Sequence, residues 1–166
     1  PTQIMTYRMA KEIRNFRPDF VGISVMSSEY REILDIAAEI VKSIDENIII
    51  IAGGVHVTTS YEYVVKNENI NYCVRGEGEY VLRDLIKYLI GEDDFPKEGL
   101  VFMNSGTIIA QNHVLVQDIS KLPWPAYDLV DFKAYVEKPP RPGPGGPTSL
   151  PYARMVTTRG CPFNCS

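Results

Sequence analysis

Two cysteines near the end of the chain have a spacing that suits metal binding. Cys161 and Cys165 are separated by three residues, and thiolates are soft, charged ligands for zinc or for the iron of iron–sulfur clusters. Two thiolates complete neither kind of site, because both metals take more than two protein ligands. The pair alone therefore leaves a cluster site, a zinc site and chance spacing open.

A serine and two glycines form a second group of residues that can bind a ligand. Ser24 lies near the end of one apolar run, and Gly53 and Gly54 end the next. A serine hydroxyl donates or accepts a hydrogen bond, and paired glycines let a ligand approach the backbone because no Cβ intervenes. Either feature alone also fits an ordinary strand residue or a tight turn.

Helices and strands that alternate along the chain would position these residues. Short apolar runs predict strands at 20–25, 48–52 and 70–74, and helical spacing predicts amphipathic helices before, between and after them. The first strand is expected to be buried on both faces, and the third helix to begin at a Thr59–Glu62 capping box. This order predicts an α/β fold, a flavodoxin-like (Rossmann-like) doubly wound parallel sheet.

The chain divides into three predicted parts. Residues 1–116 form the α/β domain, which ends in a hairpin around Asn104-Ser105-Gly106; residues 117–151 form an interdomain linker rich in proline and glycine, and residues 152–166 begin a further domain. A sheet with three parallel strands is small. We therefore expect one or two strands before Pro1, and a sheet edge through which copies of the chain can associate.

Ligands of open parallel sheets bind beyond the carboxyl ends of the strands. We expect His56 to be a polar residue that lines a ligand-binding slot at this edge. Gly76 and Gly78 are expected to give the backbone after Val74 more conformational freedom. Glu77 and Glu79 also suit a helix N-terminus without any ligand. The candidate binding residues in the three loops at this edge are Ser24, Met26, Ser27, Gly53, Gly54, Val55, His56, Arg75, Gly76, Glu77 and Gly78.

These loops resemble the cobalamin-binding domain of methionine synthase and its relatives. That family carries Ser-x-Leu, a little under thirty further residues, and then Gly-Gly. Here Ser24-Val25-Met26, with methionine in place of leucine, is followed by residues 27–52 and then by Gly53-Gly54. The resemblance implies that Ser24 hydrogen-bonds the dimethylbenzimidazole tail and that the glycines leave room for it. The family's Asp-x-His-x-x-Gly element is absent, and His56 follows the wrong strand to replace its cobalt-ligating histidine.

The end of the chain resembles the opening of the radical S-adenosylmethionine signature, Cys-x-x-x-Cys-x-x-Cys. The matching segment is Thr158-Arg159-Gly160-Cys161-Pro162-Phe163-Asn164-Cys165, and a third cysteine would fall at position 168. The segments 75–79 and 122–126 also resemble cobalamin-dependent members of this class. The resemblance implies the cobalamin-binding module of a radical methyltransferase or of an anaerobic magnesium-protoporphyrin monomethyl ester cyclase-like enzyme. The 4Fe-4S cluster and S-adenosylmethionine would bind only with the radical S-adenosylmethionine barrel, as the partner domain.

Other functions compete with this interpretation. A flavodoxin-like domain for a flavin or a nucleotide would explain the same sheet and loops. A receiver-like or interaction module fits less well, because a receiver needs a phosphorylatable aspartate and an acidic cluster where this chain carries serines and glycines.

Composition narrows the class of partner. A net charge of −4 without a basic run argues against nucleic acid. No apolar stretch approaches the roughly 20 residues that a membrane span needs. Three cysteines do not suit a secreted disulfide framework, so a cytoplasmic location is expected.

Overall fold

The computed structural model describes residues 2–26, 31–137 and 158–160. Three predicted ligand residues, Ser27, Cys161 and Cys165, lie outside these ranges. The chain forms two compact units, Pro1–Ile119 and Ser120–Ser166. A 3-10 turn at Ile119–Lys121 spans the boundary between the units, and the described elements after it are a 3-10 turn at Tyr127–Leu129 and helix α5 at Phe132–Val136.

The first unit alternates helices with strands, which confirms the predicted α/β fold class. Short runs rich in isoleucine and valine form the central strands, and the segments with helical apolar spacing form helices. Among the described residues, no helix is both long and apolar enough to cross a bilayer. The elements are α1 (Thr2–Phe16), β1 (Phe20–Ser24), α2 (Arg31–Ile44), β2 (Ile49–Gly53), α3 (Val55–Val64), β3 (Tyr72–Val74), α4 (Glu79–Leu89), β4 (Leu100–Asn104) and β5 (Thr107–Ala110).

The five strands form one sheet in the order β1-β2-β3-β4-β5. β1, β2 and β3 are parallel, whereas β4 and β5 pair antiparallel to their neighbours. The predicted hairpin is present, and its turn residues Ser105 and Gly106 have φ values of 48° and 80°, as a two-residue hairpin turn requires. The hairpin extends the parallel sheet on the side away from β1.

Helices cover both faces of the sheet, and strand residues alternate between those faces. Ile50 and Ala52 of β2 belong to one buried cluster with residues of α1, α2 and α3. Ile51 belongs to a second cluster on the opposite face, with Val81 and Leu85 of α4. Each fully buried aliphatic side chain stabilises the fold by about 1.5–3 kcal/mol, so α4 is firmly held over β2, β3 and β4.

The prediction that β1 is buried on both faces is wrong. Val21 and Ile23 pack against the cluster under α1, α2 and α3, but Gly22 and Ser24 are exposed on the other face. The physical reason is that α4 packs over β2, β3 and β4 and no residue of β1 joins the cluster beneath it. The α4 face of the sheet is therefore open over β1.

The predicted capping box is also wrong. α3 begins at Val55, directly after Gly54, so the segment expected as a loop is already helical. The hydroxyl of Thr59 donates to the carbonyl oxygens of Val55 and His56, at 3.1 and 3.2 Å, and therefore does not cap a helix. Ser60 has non-helical φ and ψ angles that interrupt α3.

Candidate functional site

A crevice of about 540 Å³ lies at the carboxyl edge of the parallel strands, between the uncovered part of the sheet and the start of α4. Its volume is within the range of about 300–1,000 Å³ that is typical of small-molecule sites. Loops after β1, β2 and β3 all contribute to it, as the position of ligands in open parallel sheets predicts. Leu82 of α4 lines one wall, and Val74 and Ile51 line the apolar part of the sheet.

Two of the four residues on the floor of the crevice are glycines. Gly22 pairs in register with Ile51, and Ser24 pairs with Gly53, so these four residues lie side by side on two adjacent strands. A Cβ built on Gly22 or on Gly53 would have no atom within 4 Å apart from those of the glycine itself and its two chain neighbours. The missing side chains at these two positions therefore create the open space.

Gly54 has a different role from Gly53. Its φ is +95°, and a Cβ there would lie 2.5 Å from the carbonyl oxygen of Val25 and 3.0 Å from Oγ of Ser24. The same Val25 carbonyl accepts the backbone N–H of His56 at 3.0 Å. Gly54 thus lets the first turn of α3 lie against the end of β1. Glycine is required here by the fold of the chain, whether or not a ligand is bound.

Of the residues predicted in the first two loops, Ser24, Gly53 and Gly54 line the crevice. Met26 and Val55 do not line it, but each follows its strand at the same edge, and they are 68% and 53% exposed. They therefore add apolar surface at the edge where the crevice opens.

His56 does not lie where the sequence predicts it. It is only 5% exposed, is not among the residues that line the crevice, and its Nε2 has no hydrogen-bond partner among the described residues. The cause is the early start of α3, which puts His56 in the first helical turn, with its backbone N–H bonded to the end of β1.

Arg75 also faces away from the crevice. Its guanidinium lies 4.0 Å above the ring of Tyr61, and one of its terminal nitrogens donates to the carbonyl of Gln111 at 3.1 Å. The Nε of Arg75 is buried without a partner in the described part of the chain. A cation over an aromatic face is a stabilising contact, so Arg75 fastens the segment after β5 to α3.

Gly76 and Glu77 extend this fastening. The N–H of Gly76 donates to the hydroxyl of Thr58 at 3.0 Å, and a Cβ on Gly76 would overlap the carbonyl of Val114. The Glu77 carboxylate accepts the backbone N–H of Val116 at 2.5 Å. We call these contacts between residues 75–77 and residues 111–116 the clasp. Glu77 therefore both lines the crevice and takes part in the clasp.

The described residues include no group of three or more histidine, cysteine or acidic side chains that could hold a metal ion. Cys73 lies buried in β3, and burial raises the pKa of its thiol to about 12. Its thiolate is therefore disfavoured at neutral pH, and Cys73 serves as a small buried residue of the core rather than as a reactive thiol.

Sequence reasoning missed Gly22, although a signal was present. A glycine inside a strand weakens it and often marks a place where a ligand approaches closely. It also missed residues 111–116, whose part in the clasp has no local sequence pattern.

Comparison with known proteins agrees with the geometry. The family model of the B12 binding domain matches residues 3–86. The chain is 32% identical over 160 residues to an uncharacterized methyltransferase, PH0819, of Pyrococcus horikoshii, covering 95% of this chain and 32% of that protein. It is 28% identical over 169 residues to the anaerobic magnesium-protoporphyrin IX monomethyl ester cyclase of Cereibacter sphaeroides, covering 96% of this chain and 25% of the cyclase.

A solved structure has a similar fold. The cobalamin-dependent S-adenosylmethionine radical enzyme OxsB, with aqua-cobalamin and S-adenosylmethionine bound, superimposes with a TM-score of 0.62 and 25% sequence identity over 75% of this chain and 18% of OxsB. The chain thus spans a third or less of the length of these relatives. Since the family match covers just over half of its residues, the chain belongs to the B12-binding domain family.

Proposed function

We propose that this domain binds cobalamin with the nucleotide tail of the cofactor in the crevice. The observation that carries the proposal is the open space over Gly22 and Gly53 beside Ser24, an exposed residue that also lines the crevice. A Cβ at either glycine would project into this space and, apart from its chain neighbours, would have no protein atom within 4 Å. The residues of the chain therefore fit the flat base of a nucleotide tail.

The chain's own residues would bind and orient the tail. The Ser24 hydroxyl can hydrogen-bond a nitrogen of the base. Ile51, Val74 and Leu82 line the crevice with apolar groups, which exclude water from the faces of the base, and burial contributes about 25 cal/mol per Å² of apolar surface. Met26 and Val55 would contact the corrin ring outside the crevice, since both are exposed at the edge of the sheet.

The clasp would support the part of the crevice wall that the β3–α4 loop forms. Gly76 and Glu77 hold the β3–α4 loop against residues 111–116, and the same loop lines the crevice next to α4. A fixed loop loses less conformational freedom when a ligand binds, which favours affinity. The proposed role of Arg75 is therefore to position this loop from outside the crevice.

We also propose that the module serves a radical S-adenosylmethionine methyltransferase or cyclase. Bound cobalamin would supply methyl-transfer or related corrinoid chemistry. The support is the Cys161–Cys165 signature, together with relatives named as a methyltransferase and a cyclase. The two thiols would be two of three ligands of a 4Fe-4S cluster that binds S-adenosylmethionine in an adjoining barrel. A reducing cytoplasm would suit that chemistry.

Cobalamin binding can be tested with the purified chain. We expect hydroxocobalamin to co-elute with the protein after desalting, at one molecule per chain, and to change its visible spectrum on binding. FMN in the same experiment serves as the control ligand and should be removed by desalting. Separation of cobalamin from a chain that circular dichroism shows to be folded would contradict the proposal, and retention of FMN instead would favour a flavin site.

A further inference from the structure

Gly22 extends the floor of the crevice beyond the residues that the sequence pattern identifies. It lies two positions before Ser24 on the same face of β1, because strand side chains alternate, and it pairs with Ile51. It lines the crevice, and a Cβ on it would have no atom within 4 Å apart from those of its chain neighbours. Neither the Ser-x-Leu element nor the Gly-Gly element includes it.

The dimensions of the floor follow from strand geometry. Two residues along a strand span about 6.6 Å, and adjacent strands lie about 4.8 Å apart. Ser24 and Gly53 form one end of this area, and Gly22 and Ile51 form the other. A single aromatic ring would fit over the first end alone, whereas a fused two-ring base laid along β1 would also reach over Gly22.

We propose that Gly22 determines the size of the base that the crevice accepts. This inference rests on the proposed binding of a cobalamin tail in the crevice. With glycine at position 22 the floor admits a benzimidazole or a purine. A side chain at this position leaves room for corrinoids with a single-ring base or with no base, and excludes those with a fused two-ring base.

Substitution at position 22 should leave the fold intact. Gly22 is not among the glycines with a positive φ, so its backbone conformation is open to other residues. Valine also favours strands more than glycine does. Gly22→Val is therefore expected to unfold at the same urea concentration as the wild type, or at a higher one. Val21→Ala is the matched control, because Val21 is the adjacent residue and packs on the opposite face.

The test compares dissociation constants for three corrinoids: cobalamin, a cobamide with a phenolic single-ring base, and cobinamide, which lacks the tail. A valine that overpacks the occupied crevice, at a cost typical of overpacked protein cores, would weaken binding by about 30-fold. We expect Gly22→Val to weaken cobalamin binding by about this factor, to change binding of the phenolic cobamide by less than about threefold, and to leave cobinamide unchanged. Gly22→Ala should weaken cobalamin binding less than Gly22→Val does, and again more than it weakens binding of the other two corrinoids. Val21→Ala should leave the three corrinoids ranked by affinity as they are for the wild type.

The possible failures can be told apart. If the wild type binds cobalamin and Gly22→Val binds it equally well, the role of Gly22 is refuted and the proposed function stands. An equal loss of all three corrinoids by folded Gly22→Val also refutes base selection. If the wild type binds no corrinoid, the proposed function fails, and the role of Gly22 fails with it.

Discussion

Replacing the two adjacent glycines one at a time should separate binding from folding. A leucine at position 53 would project into the open crevice, since a Cβ there meets no atom within 4 Å. An alanine at position 54 must adopt a φ of +95°, with its Cβ 2.5 Å from the carbonyl oxygen of Val25. The two substitutions are one residue apart, yet the structure assigns them opposite consequences.

The magnitudes follow from these contacts. A non-glycine residue at a positive φ costs about 1–3 kcal/mol, and the overlap with Val25 adds to this cost. Gly54→Ala should therefore lower the free energy of unfolding by at least about 2 kcal/mol. Gly53→Leu should change it by less than about 1 kcal/mol, because position 53 has no positive φ and no neighbour to displace. It should weaken cobalamin binding by about 100-fold, or about 2.7 kcal/mol.

Two assays measure the pair: urea unfolding for stability, and equilibrium titration with hydroxocobalamin for binding. Gly53→Ala is the graded control, with a smaller loss of affinity and unchanged stability. Wild-type affinity in Gly53→Leu would show that the tail does not lie over the crevice floor. Wild-type stability in Gly54→Ala would show that the turn between β2 and α3 does not depend on glycine.

Three further predictions concern single contacts. Ser24→Ala removes one hydrogen bond worth about 1 kcal/mol, so titration should show about fivefold weaker cobalamin binding, with unchanged urea unfolding. Glu77→Ala leaves the N–H of Val116 without its carboxylate partner; the free energy of unfolding should fall by about 1.5 kcal/mol, and Glu77→Gln should restore part of it. Burial raises the pKa of Cys73 from 9.0 to about 12, so above pH 9 the thiol ionises in the unfolded chain first. The free energy of unfolding should then fall by about 1.4 kcal/mol per pH unit until the folded thiol ionises near pH 12. Urea unfolding between pH 8 and 10.5 measures this dependence, and Cys73→Ala should remove the contribution of the thiol to it.

The sequence was sufficient for features that depend on local pattern. Apolar runs predicted strands that the structure places at Phe20–Ser24, Ile49–Gly53 and Tyr72–Val74, because buried strands need such residues. The Ser105-Gly106 turn followed from its short, glycine-containing loop. The spacing of Ser24 and the glycine pair indicated a site at one sheet edge, and the register places Ser24 opposite Gly53.

Features that depend on distant contacts could not be predicted. The functions of Arg75 and Glu77 depend on backbone groups 36 and 39 residues later in the chain, and no local pattern relates these positions. The exposure of Gly22 depends on where α4 packs across the sheet. The burial of His56 depends on α3 starting directly after Gly54, which the apparent Thr59–Glu62 capping box concealed.

A crystal structure of this chain with cobalamin bound would show directly whether the nucleotide tail lies in the crevice. We expect the dimethylbenzimidazole base inside the crevice, in contact with Gly53 and Gly22 and within hydrogen-bond distance of the Ser24 hydroxyl. Cobalamin bound at another surface, with the crevice between β1 and α4 left empty, would contradict it.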